Sequence, residues 1–147
     1  MSGFRTDLLT GIAAALHAAS LGTYLSTGVY QTTETGIVFG TVPQGPDRVI
    51  TLTTYGVSDD PSLSTSVIGL QVRCRWGGAN PTLVDDLADS IHSYLLAKHD
   101  WTLSTGVVVV QCQHASGPVS LGQDENRRWS NSTNYYLTVH RPTTNRT

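Results

Sequence analysis

Residues 68–75 alternate between apolar and polar side chains, and this pattern constrains the fold more than any other. Ile68, Leu70, Val72 and Cys74 occupy every second position, with glycine, glutamine and arginine between them. Because successive side chains of a β-strand point to opposite faces, the alternation predicts a strand with one face on a core and the other on polar surroundings. The chain therefore needs a second layer that packs on the apolar face.

A first helix is predicted over residues 5–19. Its apolar side chains recur at the spacing of one helix face, at Leu8, Leu9, Ile12 and Leu16. Alanines lie between them, which permits close packing against a sheet.

A second helix is predicted from Asn80 and Pro81 to about Lys98. Asn can accept a hydrogen bond from a free backbone N–H at the helix start, and Pro has no N–H to leave without a partner. Its apolar stripe is expected to consist of Leu83, Leu87, Ile91, Tyr94 and Leu95. Acidic side chains lie early, where the helix dipole favours negative charge, at Asp85, Asp86 and Asp89.

Four further strands are predicted, over residues 36–40, 48–55, 107–112 and 129–141. Turn-forming and charged residues predict exposed loops over residues 56–65 and 122–128. Because the connections between strands are short, most neighbouring strands should be antiparallel. The sequence therefore predicts an α+β fold, a mostly antiparallel sheet with two helices packed on it.

The length and composition favour one domain with polar, uncharged surfaces. A chain of 147 residues has the usual size of one domain, so we expect a single domain over residues 1–147, with about 142–147 as a flexible tail. Charged residues make up 14% of the chain, well below the usual quarter. Neighbouring subunits can cover surfaces of this kind.

Charge and hydropathy argue against nucleic-acid and membrane partners. The net charge is −2 and no segment clusters Lys and Arg, so specific nucleic-acid binding is not expected. No apolar run reaches the roughly 18 residues of a membrane span, and the first residues lack a signal-peptide pattern. We therefore expect a protein that is made in the cytosol.

No pattern for catalysis, cofactor binding or metal binding can be named. The histidines lie far apart, at His17, His92, His99, His114 and His140, without the spacing of a zinc site. The sequence has neither a G-x-S-x-G nucleophile elbow nor a phosphate-binding glycine loop. We expect no enzyme activity, no cofactor and no metal.

The two cysteines, Cys74 and Cys112, both fall in strand-like runs. They are predicted to be buried free thiols. A disulfide stays open as the alternative if their strands are neighbours.

Five stretches carry a resemblance to a known family. They are residues 58–63 (SDDPSL), 67–73 (VIGLQVR), 84–89 (VDDLAD), 120–124 (SLGQD, running on to Trp129) and 135–142 (YYLTVHRP). In this order and spacing they resemble a family of actinobacterial phages described as minor capsid protein or tail terminator. The family pattern has a glycine between Asp124 and Trp129, where this chain has Asn126, Arg127 and Arg128.

The resemblance implies a structural virion protein that is not an enzyme. Such a subunit is expected to form a homohexameric ring that caps the tail tube, stops its polymerisation and provides the head-docking face. The implied partners are further copies of the chain, the tail tube protein and head–tail connector proteins, with DNA passing through the lumen of the ring. The implied location is the tail or neck of the virion, after assembly in the host cytoplasm.

Two polar segments are candidates for contact with partner proteins, and plain solvent-exposed loops are the alternative. The candidates are Asp59, Asp60 and Leu63 in the first segment, and Gln123, Asp124, Glu125, Arg127, Arg128 and Trp129 in the second. Among them we favour Trp129, because large aromatic side chains and arginines dominate interface energetics.

Two other functions stay open at this point. A head-side connector or minor capsid protein of the neck would bind a portal-associated protein instead of the tail tube protein, and pull-down with each partner separates the two. A small hydrolase is the remote alternative, because no catalytic triad can be named. Turnover that one His or Asp substitution abolishes would support it.

Overall fold

The computed structural model describes residues 3–59 and 64–142. Within these ranges, two helices and six strands follow one another as helix, strands, helix, strands. The elements are α1 (Phe4–Ala18), β1 (Gly36–Phe39), β2 (Val49–Asp59), β3 (Thr65–Gly77), α2 (Thr82–Leu96), β4 (His99–Thr102), β5 (Val108–Gln123) and β6 (Arg128–His140). Neither helix is long and apolar enough to cross a membrane.

The strands form one mixed sheet in the order β1-β2-β3-β6-β5-β4. β1 and β2 are parallel, and every other pair of neighbours is antiparallel. The predicted α+β fold, a mostly antiparallel sheet with two helices, is confirmed.

Both helices pack on the same side of the sheet, which we call the helix face. Cys74 and Asn131 are cross-strand neighbours on this face, and the Asn131 side chain donates a hydrogen bond to the Val84 carbonyl of α2 at 3.3 Å. Arg5 of α1 donates to Thr54 Oγ1 of β2 on the same face at 3.1 Å. The opposite side, the open face, carries no helix in the described ranges.

The core lies between the two helices and the helix face. It includes Leu8, Ile12, Leu16, Ile50, Leu52, Ile68, Leu70, Val72, Ile91, Leu95, Tyr135, Leu137 and Val139. Cys74 and Cys112 are buried there as free thiols, as predicted, and β6 separates their strands. Burial raises the pKa of each thiol to about 12, so both stay protonated near neutral pH.

The predicted start of α2 is confirmed, although its apolar stripe differs. Asn80 Oδ1 accepts hydrogen bonds from the backbone N–H of Thr82 at 3.0 Å and from its hydroxyl at 2.7 Å. The prediction of Leu83 in the stripe is wrong, because Val84 is buried and begins the stripe instead. Leu83 lines a cleft beside Trp76.

The prediction of an exposed loop over residues 56–65 is wrong at both of its ends, because β2 runs to Asp59 and β3 begins at Thr65. β2 continues to Asp59, because Ser58 and Asp59 pair with Val67 and Ser66 of β3. Residues 56–59 of β2 are exposed on both faces of the strand, so no alternation of apolar and polar residues marks them as a strand. Residues 60–63 lie outside the described residues.

The carboxyl-terminal half of the sheet also differs from the prediction. The strand predicted over residues 107–112 does not end there: β5 continues to Gln123, which pairs with Trp129 of β6. β4 was not predicted; its His99 pairs with Gln111 of β5, and it is too short to show a periodic pattern. Of the predicted tail, residues 143–147 lie outside the described residues.

Candidate partner-binding surfaces

The open face of the sheet carries two exposed tyrosines. Tyr55, Gly69 and Tyr136 form one row across β2, β3 and β6. The Tyr55 ring lies over Gly69, where a Cβ atom would stand 2.1 Å from Tyr55 Cζ, and its hydroxyl donates to Asn134 Oδ1 at 3.3 Å. Tyr55 and Tyr136 are 37% and 39% exposed. Exposed amphipathic rings of this kind are enriched at protein interfaces.

Most other side chains of the open face are polar and uncharged. In the rows beside the tyrosines they are Thr51, Thr53, Gln71, Gln113, Ser116, Ser132 and Asn134. Arg73 supplies a positive charge, and no Asp or Glu occupies these rows. Arg73 Nε and Ser132 Oγ are buried without a hydrogen-bond partner in the described part of the chain. Such groups are costly, because they have neither a protein partner nor solvent to bond with.

One end of the open face is covered by residues 43–47. Arg75, which is 4% exposed, donates to the backbone carbonyls of Pro43 at 2.7 Å, Pro46 at 2.6 Å and Asp47 at 3.0 Å. Burial, and then the nearby guanidinium of Arg128, lowers the pKa of Arg75. The polar surroundings that the sequence predicted for Arg75 are therefore the carbonyl groups of a covering segment.

Arg128 anchors the same segment from β6. It is 6% exposed, donates to the Gln44 carbonyl and to Asp124 Oδ2, the latter at 2.8 Å, and lies 3.5 Å from Asp47 Oδ1. Among the predicted interface residues, Arg128 is thus held inside the subunit. Its contacts fix the β5–β6 turn relative to residues 43–47.

Asp124 organises the β5–β6 turn. Its carboxylate accepts hydrogen bonds from the backbone N–H groups of Asn126 and Arg128, both at 2.9 Å. Burial raises the pKa of Asp124, but these bonds and the Arg128 guanidinium outweigh it, so the pKa lies below its ordinary value. Arg127 has a φ of 61°, which glycine adopts without strain and which fits the glycine of the family pattern here. Glu125 and Arg127 are exposed.

Trp129 is half-buried on β6 and packs against the core. It pairs with Trp76 of β3 on one side and Gln123 of β5 on the other. Its indole Nε1 is buried without a hydrogen-bond partner in the described ranges. The side chain therefore combines a packing contact with a donor that is not satisfied within the subunit.

The two predicted interface segments lie at opposite ends of the sheet. Asp59 and Ser66 are paired at one end, whereas Gly77 pairs with Arg128 at the other. The Asp59 carboxylate accepts a hydrogen bond from Ser66 Oγ at 2.5 Å. Asp60 and Leu63 lie outside the described residues.

The outer side of α2 is a second uncovered polar surface. Thr82, Asp86, Asp89 and Ser93 follow one another at helical spacing on the side away from the sheet, and all four are exposed. The helix contains no Lys or Arg. Asp85 differs from its neighbours because it accepts a hydrogen bond from Asn131 of β6 at 3.0 Å.

Comparison with known families shows which family the chain belongs to. A family model described as bacteriophage tail terminator protein matches residues 15–141, from the end of α1 through β6. The chain belongs to the bacteriophage tail terminator family. The resemblance seen in the sequence is confirmed at the level of this family. No curated protein matches the chain.

Membership of the tail terminator family makes this a structural protein of the phage tail and a component of the virion. It also implies contact with other tail or head proteins of the phage. The surfaces described above are the places where such contacts can be sought.

In this tail terminator, folding brings together two histidines that are far apart in the sequence. The ring centroids of His92 and His114 are 5.1 Å apart, and His92 Nδ1 lies 3.0 Å from the Tyr135 hydroxyl. Burial raises the pKa of Tyr135. In residues 3–59 and 64–142, no group of three His, Cys, Asp or Glu side chains is placed to hold a metal ion. No spacing in the sequence marks this pair, because α2 and β5 contribute one member each.

Proposed function

We propose that this protein, as a single domain, is the subunit of a homohexameric ring that caps the tail tube, stops its polymerisation and provides the head-docking face. The partners are further copies of the chain, the tail tube protein and head–tail connector proteins, and DNA passes through the lumen. The family match over residues 15–141 is the observation that carries the proposal. The uncovered and mostly polar sheet face supports it, because a ring subunit must offer surfaces to its neighbours.

The two ends of the sheet are proposed to face different neighbours along the tail axis. One end carries Asp59, the described residue of the first candidate segment, and the other carries the β5–β6 turn. In the turn, Glu125 and Arg127 are exposed and available for contact, whereas Arg128 and Asp124 hold the turn in shape. Separate ends suit a protein that joins a tube to a head.

Replacing Trp129 with alanine is expected to weaken assembly more than folding. A central aromatic side chain of an interface contributes about 2 kcal/mol or more to binding. The half-burial of Trp129 predicts some loss of folding stability as well, so Trp129→Phe is the control: it keeps an aromatic ring in the packing contact and removes the indole N–H with part of the ring. Thermal melting and size-exclusion chromatography of both variants separate the effects. Equal losses of melting temperature and assembly in Trp129→Ala would instead indicate a core role.

The proposed function is tested by disrupting the gene in the phage and examining particles by electron microscopy. If the ring ends the tube, tail-tube polymerisation should continue and the tails should be longer than those of the intact phage. Tails of normal length that lack heads would contradict termination and indicate a role in joining alone. Restoring the gene on a plasmid is the control and should return tails of normal length.

A further inference from the structure

We propose that the contact between neighbouring copies in the ring is made by the open face of one subunit and the outer side of α2 of the next. This inference rests on the proposed ring. The partner of the open face is a second copy of the same chain, and the contact joins a positively charged sheet surface to a negatively charged helix surface.

The charges of the two surfaces are complementary. Arg73 lies in rows of the open face that hold no acidic side chain. The two arginines near it, Arg75 and Arg128, are accompanied by two aspartates, Asp47 and Asp124, so these four groups add no net charge. With Arg73 included, three arginines and two aspartates leave a net charge of 3 − 2 = +1, which is the charge of Arg73. A negative surface is therefore the favourable neighbour for this face.

The outer side of α2 provides that negative surface. Asp86 and Asp89 are exposed on it, and the helix carries no Lys or Arg to neutralise them. Neither carboxylate is needed to hold α2 on the sheet, because the contact to β6 is made by Asp85 and the Val84 carbonyl. The two acids are thus free to receive a cation from outside the subunit.

Hydrogen bonding favours the same arrangement. Arg73 is partly exposed on the open face, where a neighbouring subunit can reach its side chain. Carboxylates suit a guanidinium particularly well, because the bonds are charge-assisted and can be bidentate. Tyr55 and Tyr136, one row away, add exposed aromatic surface to the same patch.

The topology supplies two different surfaces on opposite sides of the subunit, as a closed head-to-tail ring requires. Since α2 packs on the helix face, its outer side points away from the open face. A contact of one with the other is therefore heterologous and can repeat around a ring.

The edges of the sheet are poorer candidates for this contact. β4, the edge strand on one side, pairs with β5 only over residues 108–111, so the rest of β5 has no neighbour on that side in the described ranges. β5 has irregular register at four places along its length, includes Pro118, and has the Gly117 carbonyl bonded to His114 Nε2 at 2.7 Å. Such irregularities discourage the addition of a strand. At the other edge, Thr23 bridges Gly36 of β1.

The test uses two charge-reversed variants of the full chain, Arg73→Glu and the double variant Asp86→Arg/Asp89→Arg. Each variant alone places like charges at every contact of a ring, so association should weaken roughly tenfold or more. An equimolar mixture of the two should assemble again, because each contact of an alternating ring then joins opposite charges. Native mass spectrometry and electron microscopy measure ring formation, and melting curves show that each variant folds.

The control is Asp100→Arg, a reversal of the same size on β4, which β6 and β5 separate from the strand of Arg73, and where the side chain is 85% exposed. It should leave ring formation unchanged. If Arg73→Glu does not fold, Arg73→Gln replaces it and should weaken the rings while melting like the original chain.

Rings that form equally well from each variant alone would overturn the inference, as would variants that fail alone and are not restored by mixing. Failure of the unchanged chain to form rings, alone or on tail tubes, would instead count against the proposed function. The two failures are therefore distinguishable.

Discussion

Arg75→Ala is expected to lower the free energy of unfolding by about 3 kcal/mol or more. The guanidinium of Arg75 is buried and donates to three backbone carbonyls in residues 43–47. Alanine would leave these acceptors either buried without a donor or exposed by movement of the segment. The loss should appear as a lower midpoint in urea.

Arg73→Ala is the matched control for Arg75→Ala. Both arginines lie on β3 and point to the open face, but Arg73 Nε has no hydrogen-bond partner among residues 3–59 and 64–142. Its removal should change the free energy of unfolding by less than about 1 kcal/mol. If the two alanine variants unfold at the same urea concentration, the segment at residues 43–47 is not anchored by Arg75.

The central strands were predictable because their surroundings are asymmetric. Ile68, Leu70, Val72 and Cys74 face the helices, while the residues between them face the open side. The alternation of residues 68–75 therefore reports a real difference between the two faces of β3. The same holds for β6, where Tyr135, Leu137 and Val139 are buried.

The outer parts of β2 and β5 were not predictable as strands, because neither of their faces is covered. Residues 56–59 of β2 and most of residues 113–123 of β5 are exposed, so burial imposes no apolar pattern on them. Glycine, serine and proline in these stretches are typical of turns, yet pairing with a neighbouring strand holds them extended. Strand pairing of this kind depends on a partner distant in sequence, which local propensity does not contain.

Burial of the two arginines was likewise hidden from the sequence. Arg75 reads as a polar residue on an exposed strand face, and Arg128 reads as part of a charged loop. The carbonyl groups that accept their hydrogen bonds lie in residues 43–47. In sequence, these acceptors precede Arg75 by 28 to 32 positions and Arg128 by 84 positions. A composition low in charge did indicate uncharged surfaces, but identifying the open face required the strand register.

The β5–β6 turn shows what a resemblance adds to residue patterns. Local composition predicted an exposed loop over residues 122–128. In the structure β5 ends at Gln123 and β6 begins at Arg128, so four residues lie between the two strands. The glycine of the family pattern indicates a backbone with positive φ, and Arg127 has this conformation. In this chain a non-glycine residue therefore adopts a conformation that glycine adopts more readily.

Gly117→Ala is expected to destabilise the protein by about 2–5 kcal/mol, because positive φ and a close backbone contact both oppose a side chain there. Gly117 has a φ of 90°, and a Cβ atom would stand 2.6 Å from the Ser132 carbonyl oxygen. Backbone atoms of β6 cannot move aside without breaking the pairing of β5. Gly122→Ala on the same strand is the matched control, with a φ of 79° and nothing within 4 Å of the Cβ position.

The control isolates the close contact, because both substitutions carry the cost of positive φ. Gly122→Ala should therefore lose only about 1–2 kcal/mol in urea unfolding. Gly117→Ala should in addition increase amide exchange in residues 116–123, where β5 borders the open face, and so weaken any assembly that uses this face. Equal stability of the two variants would mean that β5 yields at Gly117, and that the approach of this strand to β6 is looser than the 2.6 Å separation indicates.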